Sequence, residues 1–310
     1  MEPWLDHLIR TTSSLPNTIH IEPILKGYST DRKFHVILSD GEQRVLRVAK
    51  SGQWEQKKAE FQVLQSLQAR KGVKASRPIE LGLLEDIDCC FMVLSYVAGE
   101  DAKDALANLS ADEQYQIGKE AGRQLALMHT IAAPSEITDW YQRCYEQKHS
   151  RYVEAYRACG HSIANADRIL AFIDKHAAVL KDTPSVFLHD DFHVGNLIVA
   201  GRRYAGAIDF NRFDWGDPVH DFTKLAFFSQ EISTPFSIGQ IDGYHERKGS
   251  ISEIFWLRYC LYTAMAMFSS LVWTIRIIPP QTREMQERIE RISLQHDFFK
   301  QLVPYWYKRM

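Results

Sequence analysis

Two carboxylates and one amide occur in the sequence at a spacing that suits phosphoryl transfer. The segment HDDFHVGN, residues 189–196, fits the pattern H-x-D-x-x-x-x-N, and a later apolar run ends at Asp209. In phosphoryl transfer the protein takes little part in covalent chemistry, because catalysis depends on positioning the reacting groups and on neutralising the charge of the phosphates. Asp191 is predicted to orient an acceptor hydroxyl and take its proton. Asn196 and Asp209 are predicted to act with it as catalytic residues that supply oxygen ligands to Mg²⁺.

The histidines of the same segment allow a second interpretation, a metal-dependent hydrolase. His189 and His193 have the spacing H-x-x-x-H, which places two ligands on one face of a helix. This segment lies between two predicted strands and contains Gly195, so a helix is not expected here. We therefore expect His189 to support the loop structurally. A polar turn without chemistry is the plain structural alternative.

Composition limits the class of protein. The chain has 310 residues and a formal net charge of −2, with 45% hydrophobic and 25% charged residues, as in ordinary globular proteins. There is no long basic run, so we predict no nucleic-acid partner. The five cysteines lack C-x-x-C spacing, and the first residues, MEPWLDHLIR, do not resemble a signal peptide. These features favour reduced thiols and a cytoplasmic location.

One apolar stretch calls for a comparison with membrane spans. The run YCLYTAMAMFSSLVWTI, residues 259–275, contains several hydroxyl side chains and is closed by Arg258 and Arg276. A span usually needs about 20 mostly apolar residues. We therefore predict a buried core helix and no membrane association. We expect a monomer or a weak dimer whose partner is a small-molecule acceptor.

The first third of the chain is rich in strand patterns. Residues 19–50 predict three strands, and Asp40-Gly41 indicates a hairpin between the second and third. Residues 53–71 have the periodicity of a helix. Two further strands are predicted in PIELGLL and CCFMVLSYV, which follow it. This order predicts a mostly antiparallel sheet with one helix against it.

The pattern becomes helical after Gly99. Residues 101–180 predict about four helices, one of which begins at the capping box of Ser110 and Glu113. Short strands are expected within 185–209, and helices again over 218–303. The whole predicts an α+β fold with two lobes, a small antiparallel-sheet lobe over 1–98 and a large, mainly helical lobe over 99–310.

These motifs together resemble the aminoglycoside phosphotransferase family, small-molecule relatives of the protein kinases. The resemblance implies a protein-kinase-like fold and a kinase that uses ATP or GTP with Mg²⁺. It also implies that 1–98 is the nucleotide-binding lobe and that 99–310 holds the catalytic loop and the acceptor site. Besides the catalytic loop and the later Asp209, the matching segments are FMVLSYVAGE (91–100), RQLALMHTI (123–131) and WGDPVHDF (215–222).

The resemblance assigns nucleotide-binding roles in the small lobe. The Ser95 carbonyl and the Val97 N–H would bond the base, and Arg47, paired with Glu60, would bind a phosphate. Strand alternation favours Arg47 over the nearby Lys50 for this role.

Two more positions complete this nucleotide set. Val45 shares the face of Arg47 and is predicted to cover the base. In the loop GYSTD, residues 27–31, Ser29 is the predicted phosphate contact.

The chain departs from the family pattern at three positions. Asp190 stands where a glycine usually lies between the catalytic His and Asp. Arg47 replaces the usual lysine, which keeps the charge but not the ammonium geometry. Asn211 replaces the glycine after Asp209-Phe210. Asp217 and Asp221 are expected to give structural support by bracing the catalytic loop.

The sequence does not identify the acceptor molecule. The resemblance implies an aminoglycoside-type antibiotic and a role in antibiotic resistance. A macrolide or a metabolite of the choline, homoserine or sugar type would suit the same architecture. A protein kinase and a non-catalytic nucleotide-binding protein are further alternatives. Acidic side chains that could receive a cationic acceptor are Asp214, Glu231, Asp242, Glu246 and Glu253.

Overall fold

The computed structural model describes residues 2–27, 30–246 and 249–307. The chain forms two compact units, Met1–Gly99 with Ala205–Asn211 and Glu100–Tyr204 with Arg212–Met310. No pattern in the sequence indicated that residues 205–211 belong with the first unit.

The first unit is a five-stranded antiparallel sheet, as predicted, with one predicted helix and one that was not predicted. The strands follow the order β1-β2-β3-β5-β4 across the sheet. No helix was predicted before the first strand, but one is present there. The elements are α1 Pro3–Thr11, β1 Thr18–Pro23, β2 Arg32–Leu38, β3 Gln43–Lys50, α2 Trp54–Gln68, β4 Pro78–Leu84 and β5 Cys89–Ser95.

The hairpin between β2 and β3 has a three-residue loop. Gly41 N–H donates to the Leu38 carbonyl at 3.0 Å, and Leu38 N–H donates to the Glu42 carbonyl at 2.9 Å. Gly41 has φ +86°, a left-handed conformation that glycine adopts without strain. This loop sets a register in which Lys33 lies directly opposite Arg47. Directly opposed residues have their side chains on the same face of a sheet.

The two faces of this sheet differ in chemistry. One face packs against α1 and forms an apolar cluster that includes Leu5, Leu8, Phe34, Val36 and Leu46. Alternation along the strands places Lys33, Val45 and Arg47 on the other face. Lys33 and the two candidate residues of β3, Val45 and Arg47, therefore lie away from the α1 cluster.

The second unit is mainly helical, as predicted. α4 begins at the predicted capping box, in which Glu113 N–H meets the Ser110 side chain and the Glu113 side chain meets Ser110 N–H. Two π-helical segments, Gln142–His149 and Leu225–Ser229, were not predicted. The helices are α3 Ala102–Ala105, α4 Ala111–Met128, α5 Ser150–Arg157, α6 Ala166–His176, α7 Gln230–Ile232, α8 Thr234–His245, α9 Glu253–Ile277 and α10 Thr282–Gln295.

Short strands precede and follow the segment predicted to be catalytic, residues 189–196. β6 Glu100–Asp101 pairs antiparallel with β8 Leu197–Ala200, and β7 Val186–Leu188 pairs antiparallel with β10 Asp214–Gly216. β9 spans Arg203–Ala207, where the chain passes from the second unit to the first. The segment between β7 and β8 is thus anchored at both ends.

Helices α4 and α8 approach each other through glycines. A Cβ atom added to Gly118 would lie 2.0 Å from the Phe236 carbonyl oxygen, and one added to Gly122 would lie 2.0 Å from that of Gln240. Gly239 and Gly243 of α8 face α4 equally closely. The backbones of the two helices are therefore in direct contact.

Helix α9 contains the apolar stretch noted in the sequence. Among the described residues it is the one helix long and apolar enough to cross a membrane, and 61% of its most apolar window is buried in the protein. It packs against α5, α6 and α10. This burial is typical of a core helix, as predicted.

Candidate active site

The segment predicted to be catalytic, residues 189–196, is a loop between β7 and β8 that orients Asp191. The Asn196 side-chain amide donates to the Asp191 carbonyl oxygen at 3.0 Å and to Asp191 Oδ2 at 3.1 Å. The Asn196 backbone N–H donates to the His193 carbonyl at 2.8 Å. Because the amide nitrogen faces Asp191, the amide oxygen is the end of Asn196 left to meet a cation.

A lysine and a histidine lie beside the Asp191 carboxylate. Lys224 Nζ lies 3.4 Å and His193 Nε2 lies 3.6 Å from Asp191 Oδ1. Burial acts to raise the pKa of Asp191, but the hydrogen bond from His193 and the charge of Lys224 hold it well below its ordinary value. The Asp191 carboxylate is therefore ionised and can accept a proton.

A buried carboxylate, that of Asp221, stabilises the loop through hydrogen bonds to its backbone. Asp221 is fully buried and accepts hydrogen bonds from the backbone N–H groups of His189 at 2.9 Å and Asp190 at 2.7 Å. Its Oδ2 also lies 3.0 Å from His129 Nε2, and His129 Nδ1 lies 2.9 Å from the Tyr244 hydroxyl. In the sequence, His129 was included only within the matching segment RQLALMHTI, and that match was the signal that could have identified it.

Asp217 and His189 are buried close to this brace. Asp217 caps a short helical turn by accepting the Val219 N–H at 3.0 Å, and it accepts the Tyr262 hydroxyl at 3.0 Å. Burial raises its pKa, although Val219 N–H and Arg258 act against the shift. The His189 ring packs edge-on against Phe192.

Asp190 adopts the backbone conformation that explains the usual glycine at its position. Its φ is +55°, in the left-handed region that aspartate tolerates better than most residues. Its side chain lies 3.1 Å from His220 Nδ1. Burial acts to raise the pKa of Asp190, but the charge of Lys148 and the His220 hydrogen bond hold it well below its ordinary value.

Asp209 belongs to the first unit. Its segment is tied there because Ala207 N–H donates to the Lys74 carbonyl and Ser76 N–H to the Ala207 carbonyl, each at 3.0 Å. Asp209 Oδ2 pairs with Lys33 Nζ at 3.0 Å. Asp209 Oδ1 is buried and accepts no hydrogen bond from the described residues. One carboxylate oxygen is therefore available to a cation.

Arg47 lies in a buried network of four charges. Its Nη1 contacts Glu60, and its Nε and Nη2 contact Asp31 Oδ2 at 3.1 and 2.6 Å. Lys57 Nζ lies 2.5 Å from Asp31 and 3.7 Å from Glu60. Burial acts to raise the pKa of Asp31, but the charges of Arg47 and Lys57 lower it overall. The Arg47–Glu60 pair was predicted, whereas the roles of Asp31 and Lys57 were missed.

The positions predicted to contact the nucleotide base also lie in the first unit. Ser95 ends β5, with its N–H and Oγ engaged by the backbone of Arg77 at 2.9 Å each. Val45 is half-buried on β3. A Cβ added to Gly206 would lie 3.2 Å from Val97, so β9, the strand that precedes Asp209, passes close to Val97. Ser29 lies outside the described residues.

The acidic side chains suggested for a cationic acceptor are mostly paired within the second unit. Asp214 accepts Arg143 Nη1 at 2.9 Å, and Glu231 accepts Arg288 at 2.7 Å. Glu253 lies in the first turn of α9, where a carboxylate favours the helix N-terminus. The other pairs are Asp242 with Tyr115 and Tyr307, and Glu246 with Lys119 and Arg123.

The metal-hydrolase interpretation has no ligand cluster to support it. Over 2–27, 30–246 and 249–307, no group of three or more His, Cys, Asp or Glu side chains is placed to hold a metal ion. Mg²⁺ bound with a nucleotide needs fewer protein ligands, because phosphate and water oxygens complete its shell. The free oxygen of Asp209 fits that sparse requirement.

An antiparallel sheet with a buried Arg–Glu pair, followed by a helical unit with an H-x-D-x-x-x-x-N loop, defines a kinase-like phosphotransferase. The model of the Phosphotransferase enzyme family, APH, matches residues 20–254. The chain therefore belongs to this family. A comparison with curated protein sequences gave no match.

Solved structures of aminoglycoside phosphotransferases share the fold. The gentamicin complex of APH(2")-IIa has a TM-score of 0.64 at 17% identity, covering 95% of this chain and 96% of that one. The GDP complex of aminoglycoside 2'-phosphotransferase-IIIa has 0.71 at 16%, covering 94% and 98%. A thermostable APH(4)-Ia with ADP and hygromycin B has 0.66 at 14%, covering 93% and 96%.

Proposed function

We propose that this phosphotransferase moves the γ-phosphate of ATP or GTP to a hydroxyl group of a small molecule, with Asp191 as the catalytic base. The observation that carries the proposal is the ionised Asp191 carboxylate, held by Asn196 on a loop that Asp221 braces. A carboxylate in this state can orient an acceptor hydroxyl and receive its proton.

The nucleotide and its metal would be bound by the remaining candidates. Mg²⁺ would neutralise charge on the phosphates, with Asp209 and Asn196 as its protein ligands. Ser95 and Val97 would offer backbone groups to the base, Val45 would cover it, and Ser29 would contact a phosphate. Arg47 and Glu60 would shape the phosphate side of this site.

The acceptor we propose first is an aminoglycoside-type antibiotic, which would make the protein a cytoplasmic resistance enzyme. Family membership supports this choice, and the structures of similar fold include complexes with gentamicin and hygromycin B. Their sequence identity of 17% and 14% supports the fold more strongly than the substrate.

A metabolite hydroxyl is the second candidate, and the ion pairs of the second unit favour it. Asp214, Glu231 and Glu246 are engaged by arginines, which reduces their attraction for a polycationic acceptor. Lys224 beside Asp191 adds positive charge next to the proposed base. An uncharged or weakly charged hydroxyl compound would suit these surroundings.

The test is acceptor-dependent release of ADP or GDP in the presence of Mg²⁺. The panel would hold aminoglycosides, macrolides, choline, homoserine and free sugars. Asp191→Asn should abolish the release, while Asp112→Asn, an exposed aspartate in the first turn of α4, should leave it unchanged. Release with an aminoglycoside would establish the first candidate, and release only with a metabolite the second. Full activity in the Asp191→Asn variant would refute the catalytic assignment.

A further inference from the structure

The arginine at the expected phosphate-binding position is fully occupied within the protein. The Arg47 side chain is 4% exposed, and its Nε, Nη1 and Nη2 atoms all contact Asp31 or Glu60. Lys57 completes the network from α2. Turning Arg47 toward a phosphate would leave two buried carboxylates short of a partner, which is costly in a low-dielectric interior.

Lys33 offers a second cation on the same face of the sheet. It lies directly opposite Arg47 in the β2–β3 register, and its Nζ lies 3.0 Å from Asp209 Oδ2. A Cβ atom added to Gly27 would lie 3.7 Å from Lys33 Nζ. The ammonium group therefore lies between the proposed magnesium ligand and the start of the loop predicted to cover the phosphates.

We propose that Lys33 is the residue that binds the nucleotide phosphates, and that Arg47 is a positioning residue that joins β3 to α2. This inference rests on the proposed function. Lysine suits the role because its compact ammonium on a flexible chain can exchange one anionic partner for another. In the nucleotide complex, Lys33 Nζ would turn from Asp209 to a phosphate oxygen, which releases Asp209 Oδ2 for the metal.

The test separates recognition of the phosphates from recognition of the base. Binding of MgATP, MgADP and adenosine would be measured by titration calorimetry for the wild-type chain and for Lys33→Met, Lys33→Arg and Arg47→Lys. Lys50→Met is the matched control, because Lys50 is exposed at the end of β3. Circular dichroism and a thermal midpoint would confirm that each variant is folded.

Lys33→Met should weaken MgATP and MgADP by about 10-fold to 100-fold, the usual effect of one charge-assisted hydrogen bond, and adenosine by less than about 2-fold. Lys33→Arg should restore part of the loss. Arg47→Lys should lower the thermal midpoint but keep the preference for MgATP over adenosine. If Arg47→Lys does not fold, the Lys33 variants decide the matter alone.

Two results would overturn the inference. One is a Lys33→Met variant that prefers MgATP over adenosine as strongly as the wild type does. The other is a folded Arg47→Lys variant that has lost that preference while Lys33 is intact. A wild-type chain that binds neither MgATP nor MgADP would instead refute the proposed function itself, and the role of Lys33 with it.

Discussion

Replacement of Gly122 by alanine should destabilise the second unit through the contact of α4 with α8. The added Cβ would lie 2.0 Å from the Gln240 carbonyl oxygen and 2.7 Å from the Tyr244 backbone nitrogen. Both atoms belong to the backbone of α8, so no side-chain rotation can relieve the overlap. The two helices would have to separate, and the neighbouring contacts at Gly118 would be lost with them.

The expected size follows from two opposing effects. Alanine favours a helix interior over glycine by about 1 kcal/mol. Overpacking of a closely packed interior typically costs about 1–3 kcal/mol, and more where the backbone must move. The change also affects the site, because His129 at the end of α4 bonds Tyr244 of α8 and Asp221. We therefore expect a net loss of about 2 kcal/mol of unfolding free energy together with a lower kcat.

Urea unfolding followed by far-UV circular dichroism would measure the effect, with the slope and midpoint fitted together. Gly52→Ala is the matched control, because a Cβ there meets nothing within 4 Å. It should change the unfolding free energy by less than about 1 kcal/mol in either direction. A Gly122→Ala variant as stable as the wild type would refute the argument from helix contact.

Two further predictions concern buried or shielded charge. Asp31→Asn removes the main partner of Lys57 and one partner of Arg47, and should cost about 3–5 kcal/mol in urea unfolding, the usual effect of breaking a buried ion pair. Because the pKa of Asp31 is lowered in the folded protein, its ion pairs stabilise the fold fully at pH values above 3.8, the ordinary pKa of the group. This stabilisation is lost as the pH falls through the lower pKa of the folded state. For catalysis, the lowered pKa of Asp191 keeps the base deprotonated, so kcat/KM should show no acid limb from Asp191 between about pH 5 and pH 8.

Each of these predictions has a control. Asp86→Asn changes an aspartate whose carboxylate is 59% exposed and should leave unfolding nearly unchanged. A loss in Asp31→Asn no larger than in that control would contradict the buried network. His193→Gln removes the hydrogen bond that does most to lower the pKa of Asp191, so any acid limb should move to higher pH in that variant. An acid limb above pH 5 in the wild-type enzyme would contradict the lowered pKa of Asp191.

Local sequence signals located most elements of the first unit. The predicted strand PIELGLL coincides with β4, Pro78–Leu84, and the predicted helix over 53–71 contains α2. The turn between β2 and β3 was less completely predictable. Asp40-Gly41 indicates a hairpin, but a dipeptide does not fix the loop length, and one residue more or less reverses every side chain of the strand. The position of Lys33 opposite Arg47 therefore required the structure.

The parts that sequence reasoning missed depend on contacts between distant residues. Asp31 and Lys57 look like solvated charges in the sequence, and only the packing of α2 brings both to Arg47. Gly118 and Gly122 would ordinarily weaken confidence in a helix. Glycine is needed at both positions because the backbone of α8, more than a hundred residues later in the chain, packs directly against them. The proposed catalytic motif was recognisable because members of this family carry fixed residue types at fixed spacing there.

The return of residues 205–211 to the first unit has a consequence for synthesis on the ribosome. The first unit lacks part of itself when residue 99 emerges, because Ala75 pairs with Ala207 as a parallel bridge. That pairing joins positions far apart in sequence, and such contacts are slow to form. A fragment that ends at Gly99 would also lack Asp209. The first unit is therefore complete only after residue 211 has been translated, about two thirds of the way along the chain.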